Sequence, residues 1–544
     1  MQWLVSALSV WIVTNKYVAA NESFVYKNAN IVFIIADDLG WDDVSFHGSN
    51  QSFTPNIDLL AYTGIALSRY YSHSVCTPSR SALLSGKYAH TLGMQGYPLT
   101  GGEDRGIPTN VKLLPQYLKD LGYRTHLVGK WHVGHSRNAY LPTSRGFDSH
   151  FGHRCGYVDY YDYTLEETWD IGPVNGFDLY KNFTPAWDVE GYITDVYNQE
   201  ALSIIQNHNT TSPLFLMVAH NAPHAGNDGS ILQAPPEVVR QMRYLENAER
   251  RYFSAMVRKL DESVGDIVTA LYEKQILDNT IIVFTSDNGG MTSGLSGNFA
   301  SNWPLRGVKF TPFEGGTRLP GVIWTPTIQK NIWDGYIHSI DWLPTLLGAI
   351  GAEAIIDSDG INLWDDITAN RASKRNEFYE IDDYDNIYSI TSGPYKYIRG
   401  DLAGKNINHQ GADLRGLIEN NAPIYVDLLT ESKVYSVLNS IEKPFNLELI
   451  SVREKIQVNC TTQSTKKLPL CYPTLDRGCL YNIHNDPCEL KDISVNQPDI
   501  TNLLSVKLNE EIKRAIRRLP LIRQKRGLPK LQNYTWHTFA ESSG

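Results

Sequence analysis

Asn30-Ile31-Val32-Phe33-Ile34-Ile35-Ala36 runs straight into Asp37-Asp38-Leu39-Gly40. A short, uninterrupted apolar run rich in β-branched residues is the pattern of a strand covered on both faces, as in a parallel sheet. Ending it on two adjacent carboxylates places charge at the strand's carboxyl end, where open α/β sheets bind their ligands. Working outward, three more apolar runs end in polar clusters. Arg124–Val128 leads into Gly129-Lys130-Trp131-His132, Leu214–Ala219 into His220-Asn221-Ala222-Pro223-His224, and Thr280–Thr285 into Ser286-Asp287-Asn288-Gly289-Gly290. Helical stretches separate them. Thr54-Pro55 and Gly64 bracket a helix, Leu113–Leu121 repeats the pattern, Ile193–Gln206 is a third, and Val238–Tyr272 reads as one long helix. Strands alternating with helices predict an α/β fold with a mostly parallel sheet.

Past about Asn370 the texture changes. Ile387–Thr391 and Tyr395–Arg399 flank Ser392-Gly393-Pro394 like a hairpin, Pro423–Leu428 and Cys479–Ile483 read as short strands, and Ile500–Arg517 reads as a closing helix. The expected organisation is a segment 1–20 removed on secretion, a catalytic domain over 21–370 and a smaller C-terminal α+β domain with an antiparallel sheet over 371–544. The first segment carries the apolar run Trp3–Val13 and the small residues Val18-Ala19-Ala20, as in a signal peptide. The sequons at Asn21, Asn50, Asn182, Asn209, Asn459 and Asn533 agree with a secretory route, lysosomal or secreted. No later segment is apolar for long enough to span a bilayer. The chain has 544 residues and a formal net charge of −10, which argues against a general nucleic-acid partner. Of the six cysteines, Cys460, Cys471, Cys479 and Cys488 crowd together without CxxC spacing, as for two disulfides rather than zinc. Their pairing stays open. The basic tail Lys513-Arg514, Arg517-Arg518 and Arg523-Gln524-Lys525-Arg526 reads as a site for polyanionic glycan, as a cleavage point after Arg526, or as a solvated face.

Asp37, Asp38, Asp287 and Asn288 make an all-oxygen set, the choice of a hard cation such as Ca²⁺. Either pair alone also reads as a turn. Cys76-Thr77-Pro78-Ser79-Arg80 opens a helix that Gly86 closes, so Cys76 falls at a helix N-terminus, with Arg80 one turn on.

With these segments in place the chain resembles a type I sulfatase, most of all the arylsulfatase B group. The matching stretches are 37–41, 76–86, 129–132, 287–290, Asn302-Trp303-Pro304-Leu305-Arg306-Gly307, Glu314-Gly315-Gly316 and Asp341-Trp342-Leu343-Pro344-Thr345. The resemblance implies an alkaline-phosphatase-like fold and conversion of Cys76 to formylglycine by the formylglycine-generating enzyme. It implies one Ca²⁺ held by Asp37, Asp38, Asp287, Asn288 and the converted Cys76. It implies that Arg80 and Lys130 steady the hydrated aldehyde, and that Lys130 and Lys309 neutralise sulfate oxygens. His132 would take a proton, and His224, preferred to His220, would protonate the leaving oxygen. His47 and His73 read as packing or rim residues. The expected substrate is a sulfated carbohydrate, such as N-acetylgalactosamine 4-sulfate, or a small sulfate ester. The rival readings are a phosphatase or phosphodiesterase of the alkaline phosphatase superfamily and a sulfatase-like binding protein without catalysis. Cysteines that the vertebrate arylsulfatase B pattern places in the 96–140 region are absent here.

Overall fold

The computed structural model describes residues 25–292, 297–352, 356–402, 405, 418, 421–460 and 470–541. The expected signal peptide and the sequon at Asn21 lie outside them.

The described residues form a ten-stranded mixed sheet. Asn30–Ala36 lies at its centre, parallel to Thr280–Ser286 on one side and to Leu214–Ala219 on the other, with Arg124–Gly129 parallel to the latter. Ser149–Gly152 continues this side, and the antiparallel strands Gly321–Trp324 and Ile65–Leu67 extend the other. The register pairs Ala36 with Ser286, Ile35 with Ala219, and Ala219 with Gly129. All four central strands therefore end level, and the polar clusters that follow them emerge at one rim.

Alternation along the central strand explains why it is apolar throughout. Val32, Ile34 and Ala36 join a core with the helices Pro55–Thr63, Ile193–Asn207 and Ala248–Glu273. Ile31, Phe33 and Ile35 join a second core on the opposite face, with the helices Cys76–Ser85, Leu114–Asp120 and Trp342–Ala349. A central strand of this kind has no solvent face, so both sets of side chains must be apolar.

The C-terminal region builds a four-stranded antiparallel sheet, Glu377–Asp382, Ile387–Ser392, Tyr395–Gly400 and Cys479–Asn482, covered by the helix Pro498–Ile512. A two-stranded antiparallel ribbon, Thr164–Trp169 and Gly172–Phe177, lies apart from it. Buried ions join the two regions: Lys396 Nζ lies 3.0 Å from Glu314 and 3.1 Å from Glu489. The disulfides are Cys460–Cys488 and Cys471–Cys479.

Three expectations need correction. Pro423–Leu428 is not a strand: Tyr425–Glu431 is a helix that buries Leu429 in the core on one face of the large sheet, where the Tyr425 hydroxyl donates to Asp58 at 2.5 Å. So short an apolar run carries no period long enough to separate the two conformations. The long helix over Val238–Tyr272 is broken into Pro236–Gln241 and Ala248–Glu273, because Asn247 caps the second by accepting from the Arg250 N–H at 2.8 Å. The closing helix starts at Pro498 and ends at Ile512, and the basic residues beyond it form an irregular strap. That strap is tied to the rim, with the Arg518 N–H donating to Asp383 at 3.1 Å and the Gln524 N–H to Gly102 at 2.8 Å. Beyond it Trp536 is fully buried against the two-stranded ribbon, its indole N–H donating to the Leu165 carbonyl at 3.1 Å.

Candidate active site

The Cys76 helix is seated by its own sequence. Val75 enters extended, the Ser79 hydroxyl donates to the Val75 carbonyl at 2.8 Å, and Gly86 closes the helix at φ 69°. The N-terminus of this helix meets the carboxyl ends of the central strands. Cys76 Sγ lies 3.6 Å from Asp37 Oδ1 and 4.0 Å from Asp38 Oδ1.

Charges alternate around the thiol. Lys130 Nζ is 2.6 Å from Asp37 and Lys309 Nζ 2.8 Å from Asp38, while Arg80 makes two contacts with Asp287 Oδ2, Nε at 3.0 Å and an Nη at 2.9 Å. Asn288 Nδ2 donates to Asp38 Oδ1 at 2.6 Å. All of these groups are buried. Burial and Asp287 push Asp37 up to about 7, with Lys130 and Arg80 opposing. Burial pushes Asp38 up as well, but Lys309 and His224 outweigh it and hold the carboxyl below the ordinary value. Burial pushes the Cys76 thiol up to about 12. An unmodified Cys76 is thus a thiol, not a nucleophilic thiolate.

The two candidate histidines after the Leu214–Ala219 strand part company. His220 points into the core, where Nε2 meets Ser263 Oγ at 3.1 Å. His224 faces the cluster, with Nε2 3.2 Å from Lys309 Nζ and 3.5 Å from Asp38 Oδ2. Nδ1 of His224 lies 2.6 Å from the Ala225 carbonyl, which fixes it as the protonated nitrogen and leaves Nε2 to accept from Lys309. Burial lowers His224 to about 3, and Lys309 adds to that effect. His132 sits behind Lys130, its Nε2 on the Leu99 carbonyl at 2.9 Å, and burial keeps it neutral. His47 stacks on Trp41 and His73 pairs with Glu380 at 2.6 Å.

Asp38, His132 and Phe310, which follows Lys309, have left-handed backbones at φ 61°, 56° and 70°. Each costs on the order of 1 kcal/mol, a strain that accumulates at functional sites. Sequence reasoning did not find Tyr157, whose ring stacks on His224 at 5.1 Å, or Tyr97, which stacks on Phe310 at 5.9 Å. Neither belongs to a motif, and only the fold brings them to the rim.

The oxygen donors fit a hard divalent cation. The carboxylates of Asp37 and Asp38 lie with Cys76 and His224 in one group whose ligand atoms are all within 4.8 Å of one another, a group that does not include Asp287, and the buried Oδ1 of Asn288 has no hydrogen-bond partner among the described residues. The carboxylates of Asp37, Asp38 and Asp287 balance Arg80, Lys130 and Lys309 in formal charge. A divalent cation would therefore leave the site net positive and suited to an anion.

The family profile described as Sulfatase matches residues 29–352. Arylsulfatase J of Mus musculus is 40% identical over 355 residues; the match covers 64% of this chain and 57% of that relative, so the chain spans little more than half of it. N-acetylgalactosamine-6-sulfatase of Homo sapiens is 31% identical over 387 residues, covering 68% of this chain and 70% of that protein. The crystal structure of Ps i-CgsB in complex with k-i-k-neocarrahexaose superimposes with a TM-score of 0.69 at 26% identity, over 91% of this chain and 95% of that one. Profile, relatives and fold agree, and the chain belongs to the type I sulfatase family.

Proposed function

We propose that the protein hydrolyses sulfate esters, with Cys76 converted to formylglycine and the hydrated aldehyde as nucleophile. The observation that carries this reading is the placement of Cys76 Sγ 3.6 Å from Asp37 at a helix N-terminus, inside a buried ring of alternating carboxylates and cations. Sγ marks the place the hydroxyl oxygens would take. Asp37, Asp38, Asp287, Asn288 and the converted residue would hold Ca²⁺. When bound, the ion supplies a fixed positive charge that acidifies a neighbouring hydroxyl and draws the sulfate oxygens in.

The chain's own residues do the rest. Lys130 and Lys309 meet the sulfate oxygens, and Arg80 holds Asp287 and the helix in register. One hydroxyl of the hydrated Cys76 aldehyde passes its proton to Asp37, 3.6 Å from the Cys76 Sγ position, and attacks sulfur, and the ester oxygen leaves with the electron pair of the S–O bond that breaks. The proton it needs is shared between Lys309 Nζ and His224 Nε2, 3.2 Å apart, and a sulfate against Lys309 offsets the part of the His224 shift that Lys309 adds to burial. The second hydroxyl then passes its proton towards His132, the C=O bond reforms as the C–O bond to the sulfate breaks, and sulfate departs as the dianion with that electron pair. Water rehydrates the aldehyde. A serine in place of the diol would end as a stable sulfate ester, with no second hydroxyl to expel the group.

Sulfated carbohydrates such as N-acetylgalactosamine 4-sulfate, or small aryl sulfates, are the substrates proposed. Relatives acting on N-acetylgalactosamine-6-sulfate and arylsulfates support the range without choosing within it. The formylglycine-generating enzyme would act during biosynthesis in the secretory pathway. No described helix is long and apolar enough to cross a membrane. Turnover of an aryl sulfate beside the matching aryl phosphate, with and without chelator, tests the reading. Chelator-sensitive cleavage of the sulfate is expected. Preference for the phosphate would make the site a phosphatase, and no turnover of either would make it a binding site.

A further inference from the structure

We propose that Arg518, on the C-terminal strap, forms an oxyanion subsite in the wall of the Cys76 pocket that takes a second acidic group of the substrate, a carboxylate or sulfate on the neighbouring sugar. The proposal rests on the sulfatase reading above and narrows its substrate class to polyanionic saccharides.

The Arg518 side chain is 0% exposed, and none of its three guanidinium nitrogens has a hydrogen-bond partner among the described residues. Buried guanidinium groups are otherwise paired, and one left unpaired signals a missing partner. Three of the four oxygens of the nearby carboxylates already accept from other donors. Glu103 Oε1 accepts from Arg105 Nε at 2.8 Å and lies 3.9 Å from Arg518, and Glu103 Oε2 accepts from the Thr100 N–H at 3.3 Å. Asp382 Oδ1 accepts the N–H groups of Tyr384 and Asp385, both at 3.0 Å, and burial pushes its carboxyl up to about 6. Arg105 brings a second buried nitrogen, Nη2, that is also without a partner among the described residues. Four buried guanidinium nitrogens of Arg518 and Arg105 are thus without a hydrogen-bond partner among the described residues, although Glu103 and Asp382 balance the two arginines in formal charge.

The position points to substrate. Arg518 faces Gly96, where a Cβ would come within 2.9 Å of Arg518 Nη1 and 2.4 Å of Asp382 Oδ1. Three residues on, Leu99 accepts from His132 through its carbonyl, and its N–H donates to Thr77 beside Cys76. At the reach of an extended chain this puts Arg518 within about 20 Å of His132. Between them runs an aromatic track. Lys309 Nζ lies 5.7 Å from the Phe310 ring centre, and Phe310 stacks at 5.9 Å on Tyr97, which adjoins Gly96 and is 42% exposed. A sugar sulfate held at Lys309 would lay the adjoining ring on this track and its acid group towards Arg518. Tyr384 lies over the guanidinium at 4.4 Å, is 41% exposed, and would swing aside to admit the group.

The test compares three substrates on the full-length secreted protein: a disaccharide of uronic acid and sulfated N-acetylgalactosamine, the sulfated monosaccharide alone, and an aryl sulfate. Arg518→Gln should raise KM for the disaccharide about ten- to a hundredfold, the loss of a hydrogen bond to a charged group, while leaving its kcat and both smaller substrates unchanged. Arg518→Lys, which keeps charge and bulk, should give a smaller loss with the same selectivity and serves if the glutamine variant fails to fold. Equal losses on all three substrates, or no loss on the disaccharide, would overturn the proposal. Cleavage of the aryl sulfate with both saccharides inert would overturn it while leaving the sulfatase reading intact. Inertness toward all three would remove that reading and the subsite with it.

Discussion

Lys130→Met isolates the electrostatics of the site. Lys130 and Asp37 are both fully buried, 2.6 Å apart, and Lys130 is the strongest influence opposing the burial and the Asp287 charge that push Asp37 up. Methionine keeps most of the volume of the stem and removes the charge. Deleting one partner of a buried ion pair costs about 3–5 kcal/mol, because the other is left uncompensated. Here the deficit is a negative charge, which a divalent cation would relieve. A ligand that binds only the folded state returns about 2.7 kcal/mol at a hundred times its Kd and about 4.1 kcal/mol at a thousand times. Wild type gains in the same way, so the gap narrows only by the difference in affinity, about 2.7 kcal/mol if the more negative site of the variant binds the ion a hundredfold more tightly. In chelator the variant should unfold at clearly lower urea than wild type, and with excess Ca²⁺ the gap should narrow. The assay is urea unfolding of both proteins, followed by tryptophan fluorescence, with EDTA and with calcium. A variant as stable as wild type in EDTA would refute the charge argument. A gap that calcium leaves untouched would refute the placement of the cation.

Other outcomes follow from named contacts. Trp536→Ala should cost about 3–5 kcal/mol as a large-to-small change in a fully buried position, read as a lower urea midpoint. For the same reason a chain cut after Arg526 should keep its tail: fragments separate on denaturing gels but co-elute on native size exclusion. Burial raises Glu380 but the His73 charge and its other partners outweigh it, leaving the carboxyl below its ordinary value. Its stabilisation is therefore complete above the unfolded value of about 4.3 and lost as pH falls through the folded one. Glu380→Gln should flatten the stability profile below about pH 4.5 relative to wild type. Cys76 expressed without the converting enzyme should resist alkylation at neutral pH, since its thiol is pushed up to about 12; rapid labelling of the folded protein would contradict that.

The four central strands and the clusters after them were legible because continuous apolar runs and their polar ends are local signals. Asp37, Lys130, His220 and Asp287 each follow such a run directly. The choice between His220 and His224 was legible only through resemblance, since four residues of loop decide which ring turns towards Lys309 and which towards Ser263. The Tyr425–Glu431 helix was misread because its partners, Asp58 and Tyr62, lie far back in the chain. Arg518 was visible only as one of a basic run. Nothing local distinguishes it from Arg517, which is exposed, and only the fold places one of the two beneath Tyr384.

The central claim is that the nucleophile is not the encoded thiol. Mass mapping of the peptide containing Cys76, from protein secreted by a host with the converting enzyme, should find formylglycine, with aryl sulfatase activity rising in proportion to the converted fraction. Full activity in protein that carries only unmodified Cys76 would contradict the account.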